Sequence, residues 1–134
     1  MLRTTRVWIA VLCAVLVWPA ATAAQGGYTA AQDAEFHRTA TAALAHGAYD
    51  EARELAATRD ATDPSAAALL ARLEMLRGEY AAAEARLEPI AAANPISAAA
   101  LELALLQHYL GRRNEATARL TTLVNRLQRS GEAV

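Results

Sequence analysis

The chain has 134 residues, enough for one small domain, and alanine supplies more than a quarter of them, so a hydrophobic share of 54% overstates the large side chains available for a core. The formal charge is −1, which leaves no overall electrostatic footprint for nucleic acid, and every basic side chain apart from histidine is arginine. Cys13 is the only cysteine; a chain that has lost it has no disulfide, no cysteine-ligated zinc and no cysteine nucleophile.

The first segment is not expected to belong to the fold. Arg3 and Arg6 precede an apolar run from Val7 to Trp18, and Pro19 and the small residues Ala20-Ala21-Thr22-Ala23-Ala24 follow. A positive end, a short apolar middle and a small-residue exit form the pattern of a secretory signal peptide, residues 1–24. The run covers about 12 residues, whereas a membrane-spanning helix needs roughly 20. Cleavage after Ala23 and cleavage after Ala24 fit equally well, and a bulky Leu12 before Cys13 argues against a lipoprotein signal. Removal of the segment leaves 11 basic and 14 acidic residues, a formal charge of −3. The expected location is periplasmic or secreted, with membrane contact only if the segment is retained.

Six helices are predicted beyond it, so the fold class is all-α. Thr29-Ala30-Ala31-Gln32 has the form of a capping box and opens a helix over 30–46. Gly47 ends it, and a second helix runs over 50–61. Asp63 and Pro64 then supply a cap and a first-turn proline for a helix over 64–77, closed by Gly78. The fourth helix, 80–93, contains Pro89, which removes a hydrogen bond and predicts a kink near 87–89. Asn94 and Pro95 repeat the earlier cap and predict a helix over 96–110; Gly111 closes it, and a last helix covers 113–129 before a tail at 130–134. In that last helix Leu120, Leu123, Val124 and Leu127 share one face, with Thr121, Thr122, Asn125, Arg126 and Arg129 elsewhere, so it is expected to close the domain with its apolar side inward.

The glycine turns recur after 31 and then 33 residues, which marks stacked supersecondary units at about 30–63, 64–94 and 95–129. With Gly47, Tyr49, Ala52 and Pro64, then Gly78, Tyr80, Ala83 and Pro95, then Gly111 and Ala116, the segment 30–129 resembles the tetratricopeptide repeat (TPR) family, in the manner of a small exported bacterial-type member. The likeness implies a right-handed α-solenoid of about three helix-turn-helix units. It also has departures. The large residue expected early in the first helix is Phe36 once but then Ala67 and Ala100. The aromatic slot late in that helix holds Ala43, Glu74 and Gln107, Arg113 replaces the third turn aromatic, and Arg59 stands where a small residue is usual.

No constellation for chemistry emerges. His37, His46 and His108 form no ligand pair on one helix face, so no metal, cofactor or catalytic residue is expected. Glu51 and Glu54 beside Arg53, and Glu84 and Glu88 beside Arg86, are expected to be helix-surface ion pairs. Ser65, Ser97 and Ser130 lack a nucleophile motif, and Arg112-Arg113 is too small a doublet for nucleic acid.

What remains is a surface. In the TPR family the first helices of successive units line a concave groove for a peptide or a partner's helix. By position that groove comprises His37, Thr41, Leu44, Ser65, Ala68, Arg72, Met75, Ala98, Leu101, Leu105 and His108, with Arg72 set to pair a partner's carboxylate. The implied function is a non-catalytic protein-interaction module or scaffold outside the cytoplasm. Alternatives are a binding protein for a small apolar ligand in the same groove and an enzyme using His37, His108 and a glutamate. Self-association through the ends of the stack is a further expectation.

Overall fold

A computed structural model describes residues 27–131; the expected export signal at 1–24 lies outside the described residues. Six α-helices follow in order: α1 Ala30–Ala45, α2 Tyr49–Ala57, α3 Pro64–Leu76, α4 Tyr80–Ala93, α5 Ala98–Tyr109 and α6 Arg113–Gly131. Among the described residues there is no strand, and no helix is long and apolar enough to cross a membrane.

The three glycine turns share one hydrogen-bond plan. Gly47, Gly78 and Gly111 have φ of 71°, 80° and 82°, a left-handed conformation that a Cβ would strain. In the first turn the Ala48 N–H donates to the Ala43 carbonyl at 2.8 Å and the Gly47 N–H to Leu44 at 3.2 Å. Glu79 and Gly78 repeat this with Glu74 and Met75, and Arg112 and Gly111 with Gln107 and His108. The residue after each glycine also opens the next helix: the carbonyls of Ala48, Glu79 and Arg112 accept from the N–H groups of Ala52, Ala83 and Ala116. So α2 and α4 start without a side-chain cap, because the preceding turn sets their first residue.

The other helix starts rely on side chains. Thr29 and Gln32 form the capping box, with Thr29 N–H to Gln32 Oε1 at 2.8 Å and Gln32 N–H to Thr29 Oγ1 at 3.2 Å. Asp63 caps α3 by accepting from the Ala66 N–H at 2.8 Å. The fifth helix departs from expectation. Ser97, not Asn94, caps α5, accepting from Ala100 N–H at 3.3 Å, while the Asn94 side chain accepts from Ile96 N–H in the turn that holds Pro95. Ile96 and Ser97 are the two residues that lengthen the second repeat spacing, and the nearer serine takes the cap. Helix α2 stops at Ala57 rather than near 61, where Thr58 Oγ1 donates to the Leu55 carbonyl. Helix α4 continues through Pro89 to Ala93.

Each helix packs on its sequence neighbour; α1 also touches α3, and α3 touches α5, whereas α2, α4 and α6 do not touch one another. The alanines Ala52, Ala83 and Ala116 are 0%, 0% and 1% exposed, so the backbones approach closely there. One core cluster joins Phe36, Ala52 and Leu73; the second joins Leu87, Leu103 and Leu106.

Arg59 ties the first cluster to the chain before it. Its side chain is 4% exposed, and its guanidinium lies 4.1 Å from the Tyr28 ring centroid and 4.0 Å from that of Phe36. Nη1 donates to Asp33 at 2.6 Å and reaches Asp63 at 3.4 Å, and Nη2 donates to the Gln32 carbonyl at 3.1 Å. One arginine in the place of a small residue thus joins α1, the end of α2 and the cap of α3.

Helix α6 closes the domain less completely than expected. Leu120 and Leu123 are half-buried, but Val124 and Leu127 are each 48% exposed. Its neighbour α5 has 12 residues against 19 in α6, so the far end of α6 has too little helix beside it.

Candidate functional site

Helices α1, α3 and α5 build one face because α3 touches both of the others. Aligned on the repeat, positions fall into rungs: His37, Ala68 and Leu101; Thr41, Arg72 and Leu105; Leu44, Met75 and His108. All of these are exposed or half-buried, whereas Ala40, Ala71 and Ala104 on the inner side of the same helices are buried.

A half-open depression of about 200 Å³ lies on this face. His37, Thr41, Leu44, Ser65, Ala68, Arg72, Ala98 and Leu101 line it, with Phe36 and Leu69 beneath. The other three residues of the expected groove lie beyond it. Met75 packs against the second core cluster, while Leu105 is 43% exposed and His108 is exposed. The helices that carry His37 and His108 make no contact with each other. His37 Nε2 instead sits 3.4 Å from Ser65 Oγ, and among the described residues no group of histidine, cysteine and carboxylate side chains is placed to hold a metal.

Arg72 has a different role from the one expected. Its Nε donates to Glu102 Oε1 at 2.9 Å and its Nη2 to Oε2 at 2.5 Å, a two-pronged pair between α3 and α5. Glu102 is 7% exposed at its side chain, so the carboxylate depends on this guanidinium, whose pKa its hydrogen bonds raise. The cation that was set to meet a partner is therefore already neutralised, and its exposed edge contributes packing surface. Sequence reasoning missed Glu102, although a lone carboxylate inside Ala98–Tyr109, a helix otherwise apolar up to Leu106, was the available signal.

Glu74 and Gln107, two of the three residues standing where the resemblance expects an aromatic, are instead bridged by arginines; the third is Ala43. Arg86 Nε and Nη2 both donate to the buried Glu74 carboxylate, at 3.1 and 2.5 Å to Oε1, and this hydrogen bonding raises the Arg86 pKa. Twelve residues separate that pair, and the same interval separates Gln107 from Arg119, whose Nε donates to Gln107 Oε1 at 3.1 Å. Arg86 thus serves Glu74 rather than Glu84 or Glu88; Glu84 of α4 meets Arg112 of the α5–α6 turn at 2.5 Å, and Arg53 meets Asp50. The bridges at Glu74 and Gln107 tie α3 to α4 and α5 to α6, and the first keeps the buried Glu74 carboxylate occupied. At the edge, the Tyr80 and Tyr109 hydroxyls lie 3.3 Å apart, and the shared hydrogen bond raises the Tyr80 pKa.

Arg72 and Glu102, the strong cation and carboxylate of the depression, are thus paired with each other, and Thr41, Ala68, Leu101 and Leu105 face outward beside them, with His37 and His108 at opposite ends. Comparison with protein-family models, with curated proteins and with solved structures finds no match to the chain.

Proposed function

We propose that the chain is a non-catalytic interaction module of the TPR kind. On this reading its six helices stack as three units of a right-handed α-solenoid, and the face of α1, α3 and α5 takes a peptide or a helix of a partner protein outside the cytoplasm. The observation that carries it is the half-open depression whose lining comes from all three of those helices. A surface drawn from one helix per unit suits an extended guest better than a compact one. Its volume, about 200 Å³, is below the roughly 300–1,000 Å³ of sites that enclose a small ligand, which weighs against the reading as a small-molecule carrier. The outward side chains are apolar or neutral, so the guest is expected to present an apolar stripe.

Affinity capture from the native envelope extract, followed by mass spectrometry, tests this. A partner held by the wild-type chain should be lost with Leu101→Glu and with Leu105→Glu, both at exposed positions where folding tolerates a charge. It should be retained with Glu51→Lys on α2. Capture that survives both leucine substitutions removes the groove from the account.

A further inference from the structure

The repeat permits a comparison inside the molecule. In the second unit Leu87 and Ala91 of α4 are 0% and 1% exposed, because Leu103 and Leu106 of α5 cover them. Arg72 of the same unit reaches forward to Glu102. The matching positions 33 residues later are Leu120, Val124 and Leu105. There the face is open: Val124 and Leu127 are 48% exposed and Leu105 is 43% exposed. The open face has not become polar, since valine replaces alanine and leucine replaces arginine. A contiguous exposed apolar patch is a candidate interaction surface.

The opposite end of the stack does not match it. In α3, Ala66, Leu70 and Leu73 face the first unit and join its core. The corresponding positions of α1 are Glu35, Thr39 and Ala42, all exposed, with Glu35 paired to Arg38 and accepting from the Thr39 hydroxyl. Stacking head to tail would press Val124 and Leu127 against that polar, already satisfied surface. The α6 stripe does match itself. Leu120, Val124 and Leu127 are spaced four and three residues apart, so it is nearly symmetric about Val124. Two α6 helices laid antiparallel with a two-fold axis at Val124 would set each Leu120 on Leu127 of the other copy. The positions at the edge of that seam, Thr121 and Gln128, are uncharged. Arg119, Arg126 and Arg129 fall outside it, so like charges do not meet across the axis.

We propose that the exposed stripe of α6 is the interface of a two-fold homodimer, in which the last helices of two copies pair antiparallel about Val124. A self-complementary patch of this kind closes on itself and ends at two copies.

The test uses protein purified from cells expressing the full-length gene. Analytical ultracentrifugation should show the mass rising from one copy to two with concentration and going no higher. Val124→Arg should raise the dimer dissociation constant by at least about two orders of magnitude, as expected for a charge buried without a partner. Its far-UV circular dichroism should be unchanged, because the position is half exposed in the single copy. A second measurement does not depend on that variant. In a Cys13→Ser background, Val124→Cys should form an intermolecular disulfide on mild oxidation much faster than Thr122→Cys, an exposed position off the seam. A wild-type chain that stays a single copy at every soluble concentration overturns the proposal. So does equal cross-linking of the two cysteine variants, or association that survives Val124→Arg but is lost with Glu35→Lys, which would place the contact head to tail.

Discussion

Replacing Arg59 with alanine should bring the first helix pair to the edge of unfolding while leaving the last pair intact. The guanidinium is buried, donates to Asp33 at 2.6 Å and to the Gln32 carbonyl at 3.1 Å, and lies between two aromatic rings. Breaking a buried pair by removing one partner costs about 3–5 kcal/mol, and each desolvated cation–π contact adds about 1 kcal/mol or more. Asp33 is 44% exposed and recovers water when the arginine is gone, which lowers the total. The net cost is about 3 kcal/mol, a large part of the roughly 5–15 kcal/mol that separates folded from unfolded chains. Arg59→Lys keeps the charge but loses the planar fork and the stacking, for a loss of about 1–2 kcal/mol. Urea denaturation followed by far-UV circular dichroism gives the totals. Hydrogen exchange gives the location, and protection should fall in α1 and α2 while α5 and α6 keep theirs, because α1 touches only α2 and α3. An Arg59→Ala midpoint indistinguishable from wild type, or equal loss of protection in α5, would refute the reasoning.

Gly78→Ala isolates backbone strain, since φ is +80° and an added Cβ would meet nothing within 4 Å; a cost of about 1–2 kcal/mol is expected in the same urea assay. Leu87→Ala removes a side chain that is 0% exposed at the centre of the second cluster and should cost about 2–5 kcal/mol, with a lowered melting temperature. Arg86→Ala strands the Glu74 carboxylate and should destabilise by about 2 kcal/mol, the exposed edge of Arg86 having been discounted. Glu74→Leu should cost much less, because an apolar group then fills the slot and Arg86 turns to water. Tyr80 should ionise above the ordinary tyrosine pKa of 10.0, its proton being held by the bond to Tyr109. The stabilisation is present below the unfolded pKa and is lost as pH rises through the raised one, so phenolate absorbance should show a late-titrating group that vanishes in Tyr80→Phe.

What the sequence disclosed and what it hid divide along a physical line. The glycine turns were legible because a left-handed residue at the end of a helix leaves few choices of side chain, and Gly47, Gly78 and Gly111 took the expected conformation. Helix ends were legible wherever one local device set them, as at Thr29 and Asp63. The start of α5 was not, because Asn94 and Ser97 are both competent caps and only the turn geometry around Pro95 selects the serine. The side of α1, α3 and α5 expected to face outward came from the family resemblance, and its residues are exposed or half-buried. Which charges meet was not legible, since Arg72 and Glu102 lie 30 residues apart and no helical period connects them. The recurrence of Glu74 with Arg86 and of Gln107 with Arg119 at one interval was present in the sequence as a signal, masked by closer carboxylates at Glu84 and Glu88. The incomplete cover of α6 depends on the relative lengths of two helices, and an uncertainty of a turn in either is enough to hide it.

The double duty of Ala48, Glu79 and Arg112 governs where this chain tolerates a change of length. Each closes one helix and opens the next, so a single residue inserted beside its glycine would rotate the following helix by about 100° and swing Ala52, Ala83 or Ala116 away from the crossing it fills. The joint between the second and third units has no such constraint, and there the chain already carries Ile96 and Ser97 as an extra pair absorbed by a fresh cap. Genetic lengthening should therefore be accepted between Ala93 and Ser97, and rejected at the hairpins and between Ala57 and Pro64, where Arg59 and Asp63 are held in place.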